Sequence, residues 1–174
     1  MPINNRKMMI FDLDGTLVDT APDFRNSVNF MLNHYNEPPV TLEEIRDWVG
    51  YGGRELIKRT MIAKQIEFDD NKLDKMLAIF LSHYTENIDD DSKLYDNVKE
   101  TLNFLKKENI KLSVCTNKDE TLSRTLLEKL DVLHLFDYLA GANTFENRKP
   151  HPMPLIKTLE RLDMNKNEAV MIGD

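Results

Sequence analysis

Four short apolar runs punctuate the chain, at Met8 to Phe11, Lys111 to Thr116, Tyr138 to Ala142 and Ala169 to Gly173. Each reads as a buried strand, and the first ends abruptly at carboxylates and a glycine. Between the last three lie helical patterns: Leu122, Leu126 and Leu130 recur at helical spacing, and a second segment runs from about Pro154 to Leu162. Strands alternating with helices predict an α/β fold with a doubly wound parallel sheet.

The interval from the first strand to Leu94 has another character. Thr20-Ala21-Pro22-Asp23 reads as a capped helix start, with Asp23 in capping-box register and proline in the first turn. Phe24, Val28, Met31, Leu32 and Tyr35 then follow a helical period that Pro38-Pro39 ends, and Thr41-Leu42-Glu43-Glu44 opens another helix. Leu73, Met76, Leu77, Phe80, Leu81 and Tyr84 form a third stripe. With no strand pattern here, the stretch reads as an all-helical insertion of about 70 residues, a plausible small-domain size. The acidic run Asp89-Asp90-Asp91 falls near its return. The division expected is residues 1–17 and 92–174 for the sheet-bearing core and 18–91 for the insertion.

A length of 174 residues suits one core plus such a module. A formal charge of −7 argues against a general nucleic-acid or membrane-surface binder, while leaving room for a locally positive pocket. The single cysteine, Cys115, excludes an intramolecular disulfide and a cysteine-rich zinc site. No run is long enough for a signal-peptide core or a membrane span, so the expected location is the cytoplasm.

Asp12 and Asp14 stand two apart directly after the first strand. In extended chain, alternate side chains point the same way, so both carboxylates can face one site. That site lies beyond the carboxyl ends of the strands, where open α/β sheets bind ligands. Two carboxylates there repel unless one is protonated or a cation sits between them, and a hard divalent ion such as Mg²⁺ suits oxygen donors. A carboxylate can also attack phosphorus, and a neighbouring one can exchange protons with the leaving oxygen. Taken alone, Asp-Leu-Asp-Gly is equally a turn. Thr116, Asn117 and Lys118 follow the second strand, where a hydroxyl and exposed amides suit a phosphate oxygen.

The longer string Asp12-Leu13-Asp14-Gly15-Thr16-Leu17-Val18-Asp19-Thr20 resembles the first motif of the haloacid dehalogenase superfamily. Thr116-Asn117-Lys118, Lys149-Pro150-His151-Pro152 and Gly173-Asp174 resemble its later motifs, in order. The resemblance implies a Rossmann-like core with a helical cap inserted after the nucleophile loop. Asp12 would be the nucleophile that becomes aspartyl-phosphate, and Asp14 the general acid and base. Thr116 and Lys149 would hold the phosphoryl group, with Asn117 contributing its backbone amide. Mg²⁺ would be bound by Asp12, by Asp14 through its backbone carbonyl, and by Asp174. The glycine-rich string Trp48 to Leu56 resembles the cap loop of phosphoglycolate phosphatases, which makes Gly52, Gly53 and Arg54 candidates for contacting the substrate. His151 reads as a loop residue.

The function implied is Mg²⁺-dependent hydrolysis of a small phosphorylated metabolite, with phosphoglycolate the first choice. A β-phosphoglucomutase-like sugar phosphomutase is the alternative, as is a catalytically silent binding form of the fold. Asp14 counts against a haloacid dehalogenase, which needs no second acid, and the first-strand position of Asp12 counts against a receiver-type signalling module. Superfamily members continue past the acidic motif, so the chain is expected to be truncated at its C-terminus.

Overall fold

A computed structural model describes residues Arg6–Gly173. It is an α/β structure of two compact units: residues up to Asp19 together with those from Lys93 onward, and Thr20–Ser92.

The first unit is built on four parallel strands: β1 (Met8–Phe11), β4 (Lys111–Cys115), β5 (Tyr138–Ala140) and β6 (Ala169–Ile172), in the order β5-β4-β1-β6. A central strand of a doubly covered sheet must be apolar on both sides, and all four residues of β1 are buried. Met8 and Ile10 pack with Cys115 and Ala140 on one face, against Leu155 and Leu159 of α7 (Met153–Arg161). Residue period two sends Met9 and Phe11 to the other face. Helix α5 (Val98–Lys107) packs on β4, burying Leu102 and Leu105, and α6 (Glu120–Lys129) packs on β5. Asp119 caps α6, its carboxylate accepting from the amides of Thr121 and Leu122 at 2.8 and 3.1 Å.

The structure also contains a two-stranded antiparallel ribbon, β2 (Val18–Asp19) with β3 (Lys93–Leu94), in an interval whose sequence predicts no strand. Two residues are too short to carry an alternation, and the pairing joins positions far apart in sequence. The ribbon belongs to the first unit and spans the point where the chain leaves it and returns.

The second unit contains four helices: α1 (Ala21–His34), α2 (Leu42–Trp48), α3 (Gly53–Ala63) and α4 (Asp70–Glu86). Phe24 stacks on Tyr84 at 4.7 Å between centroids, and Phe80 lies 5.7 Å from Tyr84. Val28, Met31, Ile45, Ile57, Met61 and Met76 complete this core. Thr41 opens α2 as expected and forms a full capping box: its side chain accepts from Glu44 N–H while Glu44 accepts from Thr41 N–H at 2.7 Å. After Pro38-Pro39, Val40 is held by Asn29, whose amide side chain bonds both its N–H and its carbonyl, at 2.8 and 3.1 Å.

The box expected at Thr20 does not form, since Thr20 makes no side-chain cap. Asp23 is buried and its two oxygens accept from the backbone N–H groups of Asp91 and Ser92 at 2.9 and 2.8 Å. A tertiary partner has outcompeted the local one, because the part-buried amide of Asp91 and the buried amide of Ser92, 68 and 69 residues downstream, have this carboxylate as their acceptor. Replacing Asp23 with Ala therefore strands one buried donor and one part-buried donor. D23A is expected to lower stability by about 2–4 kcal/mol in urea denaturation and D23N by less, because the amide keeps one acceptor oxygen. A D23A loss below about 0.5 kcal/mol, the range of a surface substitution, would mean that the clamp does not hold the return segment in solution.

Candidate active site

Strand β1 delivers its carboxylates at the C-terminal edge of the sheet. Asp12 N–H still donates to the carbonyl of Ile172 at 2.8 Å, so Asp12 is the last residue registered to β6. The chain then turns tightly. Gly15 has φ 81°, a region that disfavours any residue with a Cβ, and its N–H donates to the Val18 carbonyl at 3.0 Å. Leu13 is fully buried and its carbonyl accepts from Leu17 and Val18, which anchors the loop beneath the acids.

Each acid meets a lysine. Lys149 Nζ lies 2.6 Å from Asp12 Oδ2, with both side chains about one-sixth exposed, and Leu13 N–H donates to Asp12 Oδ1 at 2.8 Å. Lys118 Nζ donates to Asp14 Oδ1 at 3.0 Å, and this second pair is almost wholly buried. Burial pushes the Asp12 carboxyl above its ordinary range. The hydrogen bond and charge of Lys149 and the Leu13 amide work against that rise, and the charge of Asp14 adds to it. Cys115, at the end of β4, has its thiol pushed up to about 11, chiefly by burial, which leaves it a packing residue.

Thr116 follows β4 and is buried; its N–H donates to the Ala140 carbonyl at 3.0 Å and its Oγ1 accepts from Lys118 N–H at 3.1 Å. Asn117 sits between them, part-buried. The neighbouring loop is held close by Gly141, where a Cβ would fall 2.4 Å from the Glu120 nitrogen. Lys149 comes from the loop between β5 and α7, which carries Pro150 and Pro152. His151 in that loop accepts from Met153 N–H at 3.2 Å through Nδ1. Asp174 lies outside the described residues. Its predecessor Gly173 does lie beside Asp12, and a Cβ there would be 3.4 Å from the Asp12 Cβ.

Residues 9–174 match the family model described as haloacid dehalogenase-like hydrolase. The chain belongs to the haloacid dehalogenase-like hydrolase family. It is 37% identical over its whole length to a phosphoglycolate phosphatase of Colwellia psychrerythraea, spanning 78% of that protein. It is 39% identical to one of Mesorhizobium japonicum over 98% of this chain and 75% of that one. The crystal structure of a predicted phosphoglycolate phosphatase from Haemophilus somnus superposes with a TM-score of 0.92 at 31% identity, covering 98% of this chain and 77% of that chain. A β-phosphoglucomutase from Clostridium difficile shares the fold, with a TM-score of 0.79 at 22% identity.

The hydrolase's other candidate residues lie in the helical unit. Gly52 caps α3 and Gly53 opens it, where an added Cβ would meet Phe80 and Leu77 of α4 at 3.5 and 3.6 Å. Arg54 is engaged by two carboxylates of α4, Asp74 and, at 2.9 Å, Asp70. Lys118, to which the sequence reading assigns no role, is the residue this geometry adds. Its sequence signals are its place in the Thr116-Asn117-Lys118 string and its position just past the strand next to β1.

Since Lys149 lowers the Asp12 titration, removing its charge must raise it further and shrink the carboxylate fraction at a given pH. The carboxyl ¹³C shift of Asp12 in metal-free K149M is expected to titrate at higher pH than in the wild type. An unchanged or lower midpoint would show that the ammonium does not sit on Asp12 in solution.

Proposed function

We propose that this hydrolase cleaves small phosphomonoesters by covalent catalysis at Asp12, with phosphoglycolate as the first substrate to test. The observation that carries the reading is the pairing of two acids with two lysines at the C-terminal edge of a parallel sheet, Lys149 on Asp12 and Lys118 on Asp14. Two ammonium groups beside two carboxylates favour a dianionic phosphate where an acidic pair alone would repel it. The similarity to phosphoglycolate phosphatases at 37% and 39% identity supports the substrate class.

In this mechanism an Asp12 oxygen attacks phosphorus in line with the leaving group, forming the acyl-phosphate bond as the ester P–O bond breaks. Asp14 gives its proton to the departing alcohol oxygen, then accepts one from the water that hydrolyses the aspartyl-phosphate. Lys149, the Thr116 hydroxyl and the Asn117 amide hold the phosphoryl oxygens. The oxygen donors at the end of β1 suit a hard cation. Among the described residues no three acidic, histidine or cysteine side chains come together as a metal site, so Asp12 and Asp14 would be completed by Asp174. Mg²⁺ bound there would neutralise charge on the phosphoryl group.

Arg54 holds Asp70 and Asp74 through solvent-exposed bonds weak enough to exchange, and its five N–H donors suit a substrate carboxylate. Gly52 and Gly53 place Arg54 in the first turn of α3. No helix among the described residues is long and apolar enough to cross a membrane.

The full-length protein is expected to release inorganic phosphate from phosphoglycolate with Mg²⁺ present, and to lose that activity to a chelator. D12N should reduce kcat by about 10³-fold or more, as loss of a covalent nucleophile does. Retained turnover in D12N would sink the assignment, and an isomerised sugar phosphate as product in place of free phosphate would point to a mutase.

A further inference from the structure

Lys149 has an evident task in neutralising phosphate. Lys118 does not, because its side chain is only 3% exposed and its ammonium is committed to Asp14, itself 7% exposed. Lysine is almost never buried unless paired, so this pair is a built feature of the site.

The placement follows from strand order. β1 and β4 are parallel neighbours with Phe11 opposite Val114, so Asp14, three residues beyond Phe11, and Lys118, four beyond Val114, emerge side by side above the sheet. The backbone that launches Lys118 is fixed at both ends. Its N–H donates to Thr116 Oγ1 at 3.1 Å, and its carbonyl accepts from Ala142 N–H at 2.8 Å. A rigid base and a 3.0 Å hydrogen bond to one carboxyl oxygen together restrict how the Asp14 side chain can rotate.

We propose that Lys118 is a positioning residue for Asp14, holding its carboxyl group in the orientation that delivers a proton to the leaving oxygen. The inference rests on the acid role given to Asp14 above. As the Asp12–phosphorus bond forms and the P–OR bond breaks, the proton passes from Asp14 to the departing RO oxygen, and Lys118 remains an ammonium beside the carboxylate produced. Lys118 touches neither substrate nor phosphorus.

A residue acting through the general acid should matter most where the leaving group needs protonation. An alkyl phosphate such as phosphoglycolate needs it; p-nitrophenyl phosphate, with its stable phenolate, does not. In the full-length Mg²⁺-loaded protein, K118M is expected to lower kcat for phosphoglycolate at least about 10-fold more than for p-nitrophenyl phosphate, the lower part of the range for general-acid catalysis. The ratio of the two rates on one preparation is independent of how much of the variant is folded. Adding K118M to D14N should then change that ratio less than about twofold, since the group it acts through is gone. A wild-type ratio in K118M, while D14N shifts it, would overturn the positioning role alone. An unshifted ratio in D14N would overturn the acid role of Asp14, and the Lys118 inference with it. A K118M shift that persists undiminished in D14N would show that Lys118 acts on something other than Asp14.

Discussion

Parallel pairing of Met8–Phe11 with Lys111–Cys115 on one side and Ala169–Ile172 on the other is the constraint from which the site follows. A parallel sheet aligns the C-terminal ends of its strands, so whatever chemistry each strand carries just past its last buried residue is delivered to one edge. Asp12 follows Phe11, Thr116 follows Cys115 and Gly173 follows Ile172, each at the first position after its strand. The central strand can hold this register only because all four of its residues are buried. A polar residue there would need a hydrogen-bond partner that a packed apolar layer does not supply.

The helical unit leaves and rejoins this scaffold without disturbing it, because each unit ties its own ends. In the sheet-bearing unit, Val18 and Asp19 pair with Leu94 and Lys93, so the chain is closed before the insertion begins. In the helical unit, the carboxylate of Asp23 holds the amides of Asp91 and Ser92. A long insertion costs little loop-closure entropy once its ends are fixed close together, since that cost grows only slowly with length.

What could be read from sequence divides along the range of the interaction concerned. The four sheet strands and helices α1, α2 and α4 announce themselves through apolar runs, a helical period and proline stops, all local. Thr41 and Thr20 head similar strings, yet only Thr41 forms its box. Glu44 has no stronger suitor, whereas Asp23 is claimed by two amides brought to it by the fold. Helix α3 goes unread because its opening glycines look like a turn, although Leu56, Ile57, Thr60 and Met61 are buried along one face. Asp12 and Asp14 are visible through their spacing, Thr116 and Lys149 only through motif resemblance. Lys118 is invisible as a partner of Asp14, since 104 residues separate them and only the strand order reveals the contact.

Charge explains why so acidic a chain can serve an anionic ligand. The net charge of −7 is a property of the whole surface, and exposed charges more than about 10 Å apart are largely screened at moderate salt. Inside the nucleophile loop the balance is different: Asp12 faces Lys149 and Asp14 faces Lys118, with little water between them to weaken either attraction. The two pairs are not equivalent. The Asp12–Lys149 pair is partly open, so its lysine can be shared with an incoming phosphate at modest desolvation cost, and burial keeps the Asp12 carboxyl poorly solvated. The Asp14–Lys118 pair is closed to solvent, and separating it would leave a buried ammonium without this acceptor, which is far more costly than the pair itself. One lysine is thus partly open to solvent and the other enclosed by the protein, a difference that composition alone, with both counted among 23 cations, could not distinguish.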